Sequence, residues 1–130
     1  SEFFNFPKAE NVIFTPNITA SLNTIIKGAT KKGWHVITSS MEHNSVLRPL
    51  NSLAQQGSIE LDILQCNSNG ILDLDTFKSA IKSNTKLVIL SHSSNIIGSN
   101  LNLSPMFGKS KPLLTIAIEF KELAICSAHP

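Results

Sequence analysis

The run Lys86-Leu87-Val88-Ile89-Leu90 is apolar at every position after its first. A strand with that pattern buries both faces, as a central strand of a mostly parallel sheet does. It therefore demands helices above and below it, and the rest of the chain offers them. Thr19 to Lys27 sets Leu22, Ile25 and Ile26 at helical spacing, with Gly28 as its terminator. After the turn Lys31-Lys32-Gly33, His35 to Ser39 reads as a strand. Ser45 to Gln56 reads as a helix ended by Gly57, and its Pro49 lies about one turn in, where proline is tolerated. Ile59 to Leu64 alternates apolar and polar residues, a half-exposed strand. Asn67-Ser68-Asn69-Gly70 has turn chemistry. Asp73 to Ser83 then spaces Leu74, Phe77, Ala80 and Ile81 along one helix face. The outer segments read less regularly. Glu2 to Phe6 looks like a helix end closed by Pro7, and Asn11 to Thr15 like a short strand broken by Pro16-Asn17. Leu113 to Ile118 has strand character and Glu119 to Cys126 that of a short helix. Strand–helix alternation with short connections predicts an α/β fold of three layers, α/β/α, around a mostly parallel sheet.

Composition narrows the function classes. Only 15% of residues are charged, too few for a disordered chain. Eleven Lys and Arg are scattered against nine Asp and Glu, so there is no basic stripe for nucleic acid. No apolar run reaches the ~18 residues of a membrane span. Cys66 and Cys126 are far apart and form no CxxC, which indicates neither a metal site nor a disulfide framework. Free thiols and the absence of a signal-peptide pattern make the cytoplasm the expected compartment.

Three strand-like runs end in polar turns, and open α/β folds bind ligands at such strand ends. Phe14-Thr15-Pro16-Asn17-Ile18-Thr19 leads into a helix whose first N–H groups and dipole suit a phosphate, with the Thr15 and Thr19 hydroxyls beside them. An ordinary capped helix has the same composition. Ser40-Met41-Glu42-His43-Asn44-Ser45-Val46 puts an imidazole between a strand and a helix. That ring can stack on another ring, act as acid or base, bind a metal, or merely shape the loop. No second histidine stands at HExxH spacing. Ser91-His92-Ser93-Ser94-Asn95 ends the central strand, and Asn95 offers an amide N–H to a carboxylate or simply shapes its loop. There is no GxGxxG, GxxxxGK[ST] or GxSxG pattern.

Taken together, these turns with Gly70-Ile71-Leu72-Asp73-Leu74-Asp75 and Thr85 to Gly98 resemble the class V aminotransferase family. Within it they are similar to the cysteine desulfurase and selenocysteine lyase branch, in order and spacing from Ser1 to about Met106. The resemblance implies the large domain of the fold-type I architecture and pyridoxal 5'-phosphate (PLP) as cofactor. It implies that Thr19 and its helix start hold the phosphate, His43 stacks on the pyridine ring, and Asn95 lies near the cofactor and the substrate carboxylate. It also implies a small amino acid as substrate, a homodimer, and neither nucleic acid nor membrane as partner.

The sequence departs from the family at several points. Asn17-Ile18 stands where a Gly-Thr or Gly-Ala pair is usual, and Asn102 where a proline is usual. The match fades near Lys109. The family's Asp-Ala-x-Gln segment, its Schiff-base lysine in Ser/Thr-x-His-Lys, its catalytic cysteine and its carboxylate-binding arginine have no counterpart here. The expectation is a partial large domain over residues 1–109 and a divergent tail over 110–130, truncated or frameshifted, in a chain inactive by itself and prone to self-associate. Two other readings stay open: a non-catalytic interaction module, and a small phosphate-binding α/β domain.

Overall fold

A computed structural model describes residues 14–91 in full, and the backbone of two further strands, Leu114–Ile118 and Leu123–Ser127. In chain order the elements are α1 (Ile18–Ala29), β1 (Trp34–Ser39), α2 (Asn44–Gln55), β2 (Ile59–Leu64), α3 (Leu74–Ala80), β3 (Thr85–Ser91), β4 (Leu114–Ile118) and β5 (Leu123–Ser127). They build one sheet of order β2-β1-β3-β4-β5. β2, β1, β3 and β4 run parallel, and β5 is antiparallel to β4.

The layers follow from the direction of each crossover. From β1 the chain steps to β2 on one side. From β2 it steps back over β1 to β3. Parallel crossovers are right-handed, so steps in opposite directions place their helices on opposite faces. The core divides accordingly. On one face Leu22 and Ile26 of α1 and Val46 and Leu50 of α2 pack on Val36, Leu87 and Ile89. On the other, Phe77 of α3 packs with Leu72 on Ile37, Val88 and Leu90. Successive residues of β3 thus feed alternate cores, and all four from Leu87 to Leu90 are fully buried, as the apolar run required.

Local chemistry sets the helix ends. Asn17 caps α1, its Oδ1 accepting the Ala20 N–H at 2.8 Å. The helix runs through Gly28, which does not end it. Thr30 closes it instead, donating both its N–H and its hydroxyl to the Ile26 carbonyl. At the end of α2, Gly57 has φ +66, and the Gly57 and Ser58 N–H groups return to Ala54 O and Leu53 O, a Schellman closure. Pro49 is buried inside α2. Asp73 caps α3 by accepting both the N–H and the hydroxyl of Thr76, at 2.8 and 2.7 Å. This helix stops at Ala80, not Ser83. The Lys82 N–H is taken by Thr85 Oγ1 at 2.8 Å, which turns the chain into β3.

Two further expectations need revision or fall elsewhere. The helix expected over Glu119 to Cys126 is replaced by strand β5, Leu123–Ser127, paired antiparallel along the whole of β4. A five-residue apolar run is too short to sustain an isolated helix, and an adjacent strand offers it a hydrogen-bond ladder. Phe14 and Thr15 lie outside any strand. The rest of the Asn11 to Thr15 segment, and the helix end expected over Glu2 to Phe6, lie outside the described residues. One irregularity interrupts the β1–β3 ladder. His35 pairs with Thr85 but Val36 pairs with Leu87, so Lys86 is the extra residue of a bulge.

Candidate functional site

β1 leads away to β2 on one side, while β3 has β4 on its other side. The carboxyl ends of β1 and β3 therefore flank a topological switch point, where open α/β sheets form a crevice. Ser39 ends β1 and Ser91 ends β3. Both α1 and α2 begin at this same end of the sheet. α2 starts five residues after Ser39, and α1 finishes next to the beginning of β1, so the start of α1 lies toward the carboxyl end of that strand.

Glu42 joins the two strand ends. The residue is only 5% exposed. Oε1 accepts the Ser39 hydroxyl at 2.9 Å and the Ser91 N–H at 2.7 Å, and Oε2 accepts the Ser91 hydroxyl at 2.7 Å. No cation lies within ion-pair distance among the described residues. Burial raises its pKa above the ordinary carboxylate value, and the hydrogen bonds from Ser91 and Ser39 only partly oppose this. Ser40 extends the tie to the end of β2, donating its N–H to Leu64 O at 2.8 Å and accepting the Cys66 N–H, just beyond that strand, at 3.1 Å.

His43 follows directly as the N-cap of α2. Its Nδ1 accepts the Ser45 N–H at 3.1 Å, and the Ser45 hydroxyl lies 3.0 Å from the same nitrogen. A ring nitrogen that accepts a backbone N–H carries no proton of its own, so the neutral ring holds its proton on Nε2. The residue is exposed, which leaves the imidazole presented to solvent from a fixed anchor.

Thr19 lies in the first turn of α1 and is exposed, but Asn17 is the residue that caps this helix. Thr15 Oγ1 donates to Asn17 O at 3.0 Å and is also hydrogen-bonded to Ser21 Oγ. Asn17 satisfies the Ala20 and Ser21 N–H groups. The N–H groups of Ile18 and Thr19 have no acceptor among the described residues, so a pair of aligned donors points outward at the helix's positive end. Thr19 and His43 thus share one end of the sheet without touching. Asn95 lies outside the described residues, four positions beyond Ser91.

A second polar cluster, missed in the sequence, occupies the opposite end. His35 is fully buried, with Nδ1 2.7 Å from Thr85 Oγ1. Its Nε2 sits 3.0 Å from Asp62 Oδ2, close enough for an ion pair but not aligned as a hydrogen bond. Lys82 Nζ bridges Glu60 Oε1 at 2.6 Å and Asp62 Oδ2 at 3.1 Å, and Asn84 Nδ2 donates to Glu60 Oε2 at 3.2 Å. Lys82 and Asn84 hold the Glu60 carboxyl below its usual range. Burial pushes Asp62 up, yet Lys82 and His35 outweigh it and its carboxyl also stays low. Only the alternation of Glu60 and Asp62 along β2 hinted at this cluster, because it places both on one side of an edge strand. No group of three or more His, Cys, Asp or Glu that could hold a metal ion is assembled among the described residues, and no helix described is long and apolar enough to cross a membrane.

Residues 1–111 match the family model for aminotransferase class-V. A cysteine desulfurase IscS of Vibrio atlanticus (strain LGP32) is 43% identical over 91 residues, which are 67% of this chain and 22% of that protein. The IscS of Dictyoglomus turgidum (strain DSM 6724 / Z-1310) is 38% identical over 95 residues, 70% of this chain and 24% of that protein. Among solved structures, a cysteine desulfurase from Thermococcus onnurineus NA1 superposes with a TM-score of 0.70 at 31% identity, covering 80% of this chain and 26% of that one. The chain thus spans about a fifth to a quarter of the length of the relatives it matches.

Proposed function

We propose a function from one premise: the chain belongs to the class-V aminotransferase family. On that basis it forms part of the cofactor wall of a PLP-dependent cysteine desulfurase. The observation that carries this reading is the exposed His43 ring, anchored through Nδ1 to its own helix at the switch-point crevice. The residues present fit the cofactor in two respects. A flat imidazole with its anchoring nitrogen already occupied can lie against a pyridine ring. The outward N–H groups of Ile18 and Thr19, with the Thr19 hydroxyl, match a phosphate dianion. Asn95 completes the proposed set from the segment after Ser91.

When bound, PLP supplies an electron sink for charge developing on an amino acid. His43 shields one ring face from water, and the start of α1 neutralises phosphate charge. In the intact family member the reaction is L-cysteine to L-alanine plus enzyme-bound sulfur. This chain contributes binding and orientation to it, and does not turn over alone, because it has no counterpart of the Schiff-base lysine, the pyridinium-pairing Asp or the catalytic Cys. We place the protein in the cytoplasm. We also propose self-association, since β2 and β5 are the outer strands of the described sheet and present unpaired edges.

The test is a titration of the chain with PLP followed by cofactor absorbance, for the wild type and for His43→Ala. Weak binding that falls about tenfold in His43→Ala is expected, as for a lost stacking contact of about 1 kcal/mol or more. Equal affinity in the two would remove His43 from the site. Release of alanine from L-cysteine by the chain alone would overturn its assignment as a non-catalytic part.

A further inference from the structure

Glu42 is a buried carboxylate that nothing in the proposed cofactor contacts uses. Packing alone does not call for it. A leucine or methionine would fill similar space without removing a charge from water, and unpaired buried charges are costly. Its three hydrogen bonds are all made to the last residues of β1 and β3, the two strands that flank the crevice. The next residue in the chain is His43. The residue it grips across the crevice, Ser91, opens the segment that carries Asn95. Glu42 is the single side chain among the described residues that holds both strand ends at once.

We propose that Glu42 is a positioning residue, whose carboxylate locks the ends of β1 and β3 together and so sets where the His43 ring stands in the crevice. The statement that this matters for PLP rests on the functional reading above. The locking of His43 does not. The two oxygens divide the work. Oε1 takes Ser39 Oγ and Ser91 N–H, while Oε2 takes only the Ser91 hydroxyl, a group that can also accept. Glutamine therefore keeps the tie. Its Oε1 retains both donors and its NH2 donates to a reversed Ser91 hydroxyl. Leucine abolishes the tie and strands the Ser91 N–H. Ser91→Ala removes one of the three bonds and leaves the other two.

The experiment compares wild type, Glu42→Gln, Ser91→Ala and Glu42→Leu by two readouts. The first is the imidazole 15N spectrum of His43, assigned by its loss in His43→Ala. Wild type and Glu42→Gln are expected to show a fixed Nε2–H tautomer. Ser91→Ala is expected to shift or broaden it, and Glu42→Leu to average the two tautomers. The second readout is PLP affinity per folded molecule. It should stay within about threefold in Glu42→Gln and fall about tenfold or more in Glu42→Leu, the scale of losing a hydrogen bond to a charged group. Should Glu42→Leu fail to fold, the ordering of Glu42→Gln against Ser91→Ala decides. A merely structural Glu42 would lower the melting temperature in Ser91→Ala and Glu42→Leu while leaving the His43 signature unchanged, and that result overturns the proposal. If wild type binds no PLP, the functional reading fails by itself and the 15N spectra still decide whether Glu42 positions His43.

Discussion

The two ends of the sheet hold their carboxylates in opposite ways. At the amino-terminal end Glu60 and Asp62 share Lys82, with His35 and Asn84 beside them, so a cation offsets part of their charge near the surface. At the carboxyl-terminal end Glu42 is buried against hydroxyls and an N–H, with no cation among the described residues. The first arrangement lowers the carboxyl pKa values and the second raises one. The contrast separates a clasp from a site. A clasp holds neighbouring strands at little electrostatic cost. A site keeps an unbalanced charge where other groups must be oriented, and such perturbed groups concentrate at functional positions.

The largest effect expected from breaking this contrast is at the clasp. His35→Ala empties a fully buried position and leaves Thr85 Oγ1 with the Lys82 N–H alone, at about 3 kcal/mol of stability by urea denaturation. PLP affinity per folded molecule should not change, and a fall would join the two ends functionally. Next, Ser91→Ala removes one bond to a charged acceptor and should cost about 1–3 kcal/mol in the same assay.

Third comes the pH dependence, which should run in opposite directions at the two ends. Glu42 has a raised value, so its contribution is complete below the ordinary 4.5 and is lost as pH rises through the raised value. Thermal melts of Glu42→Gln should coincide with wild type in acid and pull above it as pH rises. Glu60 and Asp62 have lowered values, so their contribution is present above the ordinary 4.5 and 3.8 and is lost as pH falls through the lowered ones. The deficit of Lys82→Met against wild type should therefore close in acid. Parallel pH trends for the two variants would erase the distinction. The smallest effect is that of Lys82→Met at neutral pH, a slight drop in melting temperature that added salt removes, because Lys82 and Glu60 are both solvent-exposed.

Local pattern made much of this architecture legible. The apolar run of β3 announced a sheet covered on both faces, and helical spacing located α1, α2 and α3 to within a few residues. Gly57 marked the end of α2 because only its side-chain-free backbone takes that left-handed turn at no cost. What stayed hidden depends on partners far along the chain. Glu42 meets Ser91 across 49 positions, and nothing near Glu42 indicates that. His35 looked like one more strand residue until β2 and β3 brought Asp62 and Thr85 to it. Thr19 drew attention at the start of α1, although Asn17 makes the cap. β5 looked helical because its pairing with β4 is not written in either segment taken by itself. The position of His43 between strand and helix was readable, whereas its anchoring through Nδ1 was not.

The bulge at Lys86 has a consequence in time as well as in space. Ladder bonds on either side of a slipped register need not break together. The Thr85 end of β3, with its clasp, can open while Leu87 to Leu90 stays zipped between two cores. Native-state hydrogen exchange should therefore divide this one strand into two rates, a faster one before the bulge and a slower one after it. The polar ends of the sheet would then breathe on separate clocks, with the switch-point crevice borne by the slower segment.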